Sequence, residues 1–261
     1  MPFDVKEVVL VGTGNVSWHL AKSLTKAGVH VTEIIGRNAE KAKEIADTIN
    51  TGFTTDFASA QNIDGVYLLA VNDASITKVA KQIYKPRRIL VHCAGGVNIN
   101  NIIFDNNKAG VFYPILSFNK NIEIDISSAV ICVDSNDSEL TNALFQLGKK
   151  LSEHVYKVDD KQRLILNLAA VWANNFTNHM YVIAEEILQK HKMSLEMIMP
   201  LIEMSVQKIK RNSPFNTQTG PAKRGEEVVL QKHLELLKEE PEYASIYKLL
   251  SHSIKNKYLK Q

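Results

Sequence analysis

Two glycines close an apolar run in the stretch VVLVGTGNVSWHL, residues 8–20. That spacing suits a phosphate. Bare main chain at Gly12 permits a tight turn, and at Gly14 it lets an anion come close, while the N–H groups that open a following helix meet the negative charge. Thr13, Asn15 and Val16 complete the turn and the first helical positions. Ser17 holds the third place of a G-x-G-x-x-G pattern, where the requirement is smallness for helix–strand packing, and serine meets it. A strand before and a helix after separate a dinucleotide site from an unliganded turn.

A second signal follows the next apolar run, at Gly36-Arg37-Asn38. An acid there would hold a ribose 2′-hydroxyl, and Glu33 comes too early for that task. A guanidinium binds a 2′-phosphate through charge-assisted hydrogen bonds, so Arg37 with Asn38 points to NADP rather than NAD. The alternative is a solvated loop arginine.

Further polar candidates lie in the second half. In WANNFTNHMY, residues 172–181, Asn175 and His179 are i,i+4 neighbours on a face shared with Leu168, Val171 and Trp172, with Asn167, Asn174, Asn178 and Tyr181 beside them. His179 is a candidate general acid, against the reading of a packed core histidine. In TGPAKRGE, residues 219–226, a hydroxyl (Thr219), a turn and a guanidinium meet. Arg224 suits bidentate binding of a substrate carboxylate, or else pairs with a structural acid. His92 and Cys93 end a strand and are expected to be structural, while the methionines of residues 193–204 are expected to be helix core.

These residues need a scaffold that brings a sheet edge and a helical layer together. Apolar runs at 5–11, 29–35, 66–71, 88–92, 110–113 and 129–133 alternate with helix-like segments at 17–27 and 39–49. The alternation predicts an α/β, Rossmann-type, mostly parallel sheet covered by helices. After about residue 157 the pattern becomes helical: residues 160–191 lack glycine and proline, Ser194 is a plausible N-cap, 212–225 reads as a loop, and a last helix starts near Pro241. The expected division is a dinucleotide-binding domain at 1–157 and a helical substrate and dimerisation domain at 158–261. Ligands of such folds sit outside the carboxyl ends of the strands, so the substrate cleft is expected between that edge and the helices.

Composition removes several other classes. The chain has 261 residues and a net charge of +3, with lysines spread along it, so no nucleic-acid partner is expected. No apolar run reaches the ~18 residues of a membrane span. The two cysteines, Cys93 and Cys132, make neither a disulfide framework nor a metal site, and with no signal-peptide pattern at the start a cytoplasmic location is expected.

GTGNVS, residues 12–17, resembles the turn of pyrroline-5-carboxylate reductases and of the F420-dependent NADP oxidoreductase group. DGVYLLAVNDASI (64–76) resembles their fourth-strand segment, which implies that Ala70 and Val71 pass under the cofactor. HCAGG (92–96), YPILSF (113–118) and TGPAKRGE are similar to a subgroup of Rossmann-like proteins with a C-terminal domain of unknown function (DUF2520), and Ala94 and Gly95 would line the cofactor site. The resemblance spans essentially the whole chain. It implies an active-site role for Asn175, against a helix–helix contact, and a substrate-binding role for Thr219. Related β-hydroxyacid dehydrogenases carry a K-x-x-x-N pair on the long helix. Here Val171 precedes Asn175 and Ala170 precedes Asn174, so the lysine is missing and imine reduction fits better than alcohol oxidation. The expectation is an NADP-dependent oxidoreductase of a small imine or carbonyl substrate, working as a homodimer. Its rivals are F420-type hydride exchange and a non-catalytic NADPH sensor.

Overall fold

The computed structural model describes residues 3–117 and 119–259. By internal packing the chain divides into two compact units, Met1–Ala173 and Asn174–Gln261.

Among the described residues the first unit contains one eight-stranded sheet in the order β3-β2-β1-β4-β5-β6-β7-β8. Its strands are β1 (Glu7–Val11), β2 (His30–Ile35), β3 (Gly52–Thr54), β4 (Val66–Leu69), β5 (Ile89–His92), β6 (Ala109–Ile115), β7 (Val130–Ser135) and β8 (His154–Lys157). Every pairing is parallel except β6 with β7. Parallel strands covered on both faces must be apolar throughout, and β4 and most of β1 are fully buried. Each completely buried leucine or isoleucine, such as Leu10, Ile34 or Leu68, contributes roughly 1.5–3 kcal/mol.

The covering helices are α1 (Asn15–Lys26), α2 (Ala39–Ile49), α3 (Ile76–Ile83) and α4 (Ser138–Leu151). Leu20, Ala21 and Leu24 of α1, with Leu140, Leu144 and Leu147 of α4, enter one apolar cluster. Ile76, Val79, Ala80 and Ile83 of α3 enter a second. The strand order reverses beside β1, where β2 lies on one side and β4 on the other. A crevice forms at such a switch point.

The strands end at Lys157, and α5 (Asp160–Ala170) follows behind an Asp159–Gln162 capping box. The uninterrupted helix expected over residues 160–191 is not found. A π-helical turn, Val171–Phe176, separates α5 from α6 (Thr177–Lys190). Each π turn adds a residue, so side chains on either side of it no longer share the face an α-helical spacing assigns them.

In the second unit α7 (Met199–Arg211) follows a short helical turn, Leu195–Ile198, capped by Ser194. The presumed loop at 212–225 holds two short helices, α8 (Pro214–Thr217) and α9 (Pro221–Arg224), each opened by a proline that needs no N–H partner. They precede α10 (Glu227–Leu236) and α11 (Pro241–Tyr258). Phe215 stacks on Tyr258 at 4.7 Å, and His233 Nδ1 lies 2.7 Å from the Tyr247 hydroxyl. The methionines expected as core are exposed instead: Met197 is 67% accessible and Met204 49%. Both do lie on helical turns, but α7 buries no residue within its unit.

Candidate functional site

The turn after β1 is held from three sides. The Gly12 N–H donates to the Ile35 carbonyl at 2.7 Å, and the Ala70 N–H donates to the Val11 carbonyl at 2.7 Å. Gly12 has φ +123°, and a Cβ there would collide with the Ala70 carbonyl. Glycine is therefore obligatory on two counts. Ser17 is fully buried beneath the turn, and its hydroxyl donates to the Ala70 carbonyl at 3.4 Å. The third position is thus a small residue packed against the neighbouring strand end.

Gly14 caps α1, and nothing in the protein lies within 4 Å of where its Cβ would stand. No acid occupies the first turn of α1. This open backbone faces a cavity of about 590 Å³, lined by Gly12, Thr13, Gly14, Gly36, Arg37, Asn38, Lys41, Phe57, Ala70, Val71, Asn72, Ser75 and Val79. Seven of the expected cofactor residues meet there: Gly12, Thr13, Gly14, Arg37, Asn38, Ala70 and Val71. Asn38 has a second task, since its side chain accepts the Lys41 N–H at 2.9 Å and caps α2. Lys41, one helical turn into α2, brings a second cation that sequence spacing alone had not singled out.

A larger hollow, about 850 Å³, lies between α1 and residues 120–127. Two of its lysines are engaged: Lys120 approaches Glu44 at 3.4 Å and Lys150 approaches Asp4 at 3.2 Å. Its described lining residues include no glycine, and the one helix start among them, the short turn at 126–128, is already capped by the Asp125 carboxylate. The smaller cavity at the sheet edge is the better candidate.

Ala94, Gly95, Asn15 and Val16 do not line that cavity. The Ala94 N–H donates to His92 Nδ1 at 3.2 Å, which leaves the proton of the neutral ring on Nε2. His92 is fully buried, and burial first, then the Arg163 guanidinium, lower its pKa to about 3 against the pull of Asp160. Arg163 is 1% exposed, donates to the Val97 carbonyl and pairs with Asp160, so the turn after β5 is tied to α5. Burial pushes the Cys93 thiol up to about 12, far from a thiolate nucleophile. In the folded protein His92 is thus neutral and Cys93 a protonated thiol.

Gly95 packs against a pair that sequence reasoning missed. The Tyr113 hydroxyl donates to Asn167 Oδ1 at 2.9 Å, joining β6 to α5. Burial raises the Tyr113 pKa above its usual value, with Cys132 and Asp73 adding and Arg163 opposing. The two residues stand 54 positions apart, and no local pattern announces their meeting.

The four expected catalytic residues belong to the second unit, and all are exposed on it. Asn175 lies in the π turn, a feature common at functional sites. His179, in the first turn of α6, is not the packed core histidine weighed against its catalytic role. Thr219 precedes Gly220, whose φ of +105° opens α9. Arg224 is gripped bidentately by Glu226, at 2.7 and 2.8 Å. Among the described residues, no group of three or more His, Cys, Asp or Glu could hold a metal ion. No helix among them is long and apolar enough to cross a membrane.

This fold and site define a class, a nucleotide-binding α/β unit followed by helices, and the comparisons with known proteins agree. The family described as NADP oxidoreductase, coenzyme F420-dependent, matches residues 7–96, and the domain of unknown function DUF2520 matches residues 129–254. A Bacteroides fragilis protein named a "putative NADP oxidoreductase" is 33% identical, covers 97% of this chain and 98% of its own, and superposes with a TM-score of 0.91. Two more distant structures share the fold. A pyrroline-5-carboxylate reductase from Streptococcus pyogenes is 15% identical over 96% of this chain and 98% of its own, with a TM-score of 0.60. A reductive aminase from Aspergillus terreus, in complex with NADPH and ethyl-5-oxohexanoate, is 12% identical over 97% and 93%, with a TM-score of 0.74. Among curated proteins none matches. The chain belongs to the NADP oxidoreductase-like family whose Rossmann unit is joined to a DUF2520 domain.

Proposed function

We propose that this protein is an NADP-dependent oxidoreductase acting on a small imine or carbonyl compound. The observation that carries the reading is the cavity at the sheet edge, with open backbone at Gly14 and two cations, Arg37 and Lys41, at its α2 side. The residues fit the cofactor. The α1 N-terminus would hold the pyrophosphate, Arg37 and Lys41 the 2′-phosphate, and Ala70 and Val71 the face beneath it. Bound there, reduced NADP supplies a hydride to an electrophilic carbon. The protein must then orient the acceptor, exclude water and supply a proton.

Asn175, Thr219, His179 and Arg224 are proposed for substrate contact, with Arg224 exchanging Glu226 for a substrate carboxylate. That existing ion pair favours a second reading, in which the protein binds NADPH as a regulator and Arg224 is structural. Leu164, Ile165, Leu168 and Trp172 are 53–59% exposed, which supports a homodimer built on this helical region; light scattering would return the dimer mass, and a monomer at micromolar concentration would contradict it. A cytoplasmic site of action fits two unpaired cysteines.

The test is NADPH oxidation followed at 340 nm against cyclic imines, 2-oxo acids and small aldehydes, after calorimetry has established cofactor binding. Turnover of any member supports the enzyme. Tight NADPH binding without turnover across the panel supports the regulator.

A further inference from the structure

We propose that the Tyr113 hydroxyl, seated against Gly95 and held by Asn167, is the proton donor to the substrate. The inference deepens the oxidoreductase reading and rests on it.

Placement comes first. β6 runs parallel to β5 with His92 opposite Val111, so Tyr113, two residues on, lies past the last paired residue of β5. That puts it at the carboxyl edge of the sheet, where ligands of this architecture bind, beside the 94–96 turn. The missing side chain at Gly95 makes room for it. A Cβ on Gly95 would stand 2.7 Å from Tyr113 Cζ, 2.8 Å from its hydroxyl oxygen and 2.9 Å from Asn167 Cγ. All three are closer than real Cβ contacts come, so the phenol and the amide sit where only a glycine allows them. The next residue, Gly96, would place a Cβ 3.4 Å from Asp73 Oδ2, which brings an exposed carboxylate to the same corner.

The hydrogen bonding leaves capacity for a ligand. Tyr113 Oη gives its proton to Asn167 Oδ1, and neither its acceptor lone pairs nor the Asn167 amide N–H groups are used by another described residue. Tyr113 is only half-buried, so a small molecule can reach it. Neighbouring groups are poorer donors. His92 is sealed and neutral, and the dehydrogenase lysine is absent from the long helix.

The step balances. A hydride forms a C–H bond at the acceptor carbon, and the π pair of the C=N or C=O bond moves onto nitrogen or oxygen. That atom takes the proton as the Tyr113 O–H bond breaks, and the phenolate regains a proton from solvent. NADPH is the reductant. Asn167 is a positioning residue: its Oδ1 holds the hydroxyl at the turn in the resting protein, and the O–H rotates from Asn167 Oδ1 to the substrate atom before the proton leaves.

The test joins kinetics to geometry. Wild type is first titrated with NADPH by calorimetry; no binding would sink the oxidoreductase reading itself rather than this one. With the best panel substrate, Tyr113→Phe should lower kcat by about 100-fold or more, the range of a lost general acid, with NADPH affinity and KM within about threefold. Asn167→Ala should lower kcat by about tenfold with the same unchanged KM and affinity. Retention of kcat within threefold in Tyr113→Phe overturns the proposal. Should Tyr113→Phe misfold or no panel member turn over, crystals grown with NADP+ decide. Tyr113 Oη is expected within about 5 Å of nicotinamide C4, close enough to reach the atom next to the carbon being reduced. A separation beyond about 8 Å overturns it.

Discussion

His92 should make the first unit sensitive to acid well above the range where carboxylates titrate. Its ring is fully buried, with a pKa near 3 in the folded protein against 6.5 for the free side chain. A folded-state pKa below the unfolded one means that the unfolded chain takes the proton first. Stability is therefore complete above pH 6.5 and is lost as pH falls from there toward 3. Each pH unit in that window removes about 1.4 kcal/mol, so going from pH 7 to 4.5 costs about 2.5 kcal/mol. The figure barely moves if the folded value is 4 rather than 3, because pH 4.5 lies above both. Asn at this position would keep an acceptor for the Ala94 N–H and lose the titration. Urea unfolding of wild type and His92→Asn at both pH values isolates the histidine from other groups. Wild type should lose about 2.5 kcal/mol more than the variant. Equal losses would refute the argument, because they would mean that the buried ring takes up its proton without opening the fold.

The turn after β1 separates two kinds of constraint. Gly12→Ala combines positive φ with a collision against Ala70, and should cost at least about 1–3 kcal/mol in urea unfolding and abolish NADPH binding; wild-type affinity would show that the turn relaxes. Ser17→Ala should change stability by less than about 1 kcal/mol and leave NADPH affinity within threefold, because the hydroxyl makes one long bond and the position asks only for small size; a loss of binding would show that the hydroxyl itself is needed.

The buried centre of the sheet was legible because each central parallel strand is an apolar run bounded by turn residues. β3 and β8 were not, since GFT is three residues with two exposed and HVYK buries only Val155. Edge strands face water and lose the pattern that marks the others. The phosphate turn was legible for the same reason it works: its requirement is local, a glycine spacing between one strand and one helix. The Tyr113–Asn167 pair depends on α5 returning to β6, and Arg163 is a charged residue buried among them, so neither carries a local signature. The π turn escaped because its residues keep a plausible α-helical spacing in one dimension.

The most direct test of the account is calorimetric titration of NADPH and NADH into wild type and Arg37→Asp. A charge-assisted contact to the 2′-phosphate contributes about 1.5–3 kcal/mol, which corresponds to roughly 10- to 150-fold. Wild type should bind NADPH tighter than NADH by that margin, and Arg37→Asp should erase the difference while leaving NADH nearly unchanged. No heat of binding with either nucleotide would contradict the account at its root.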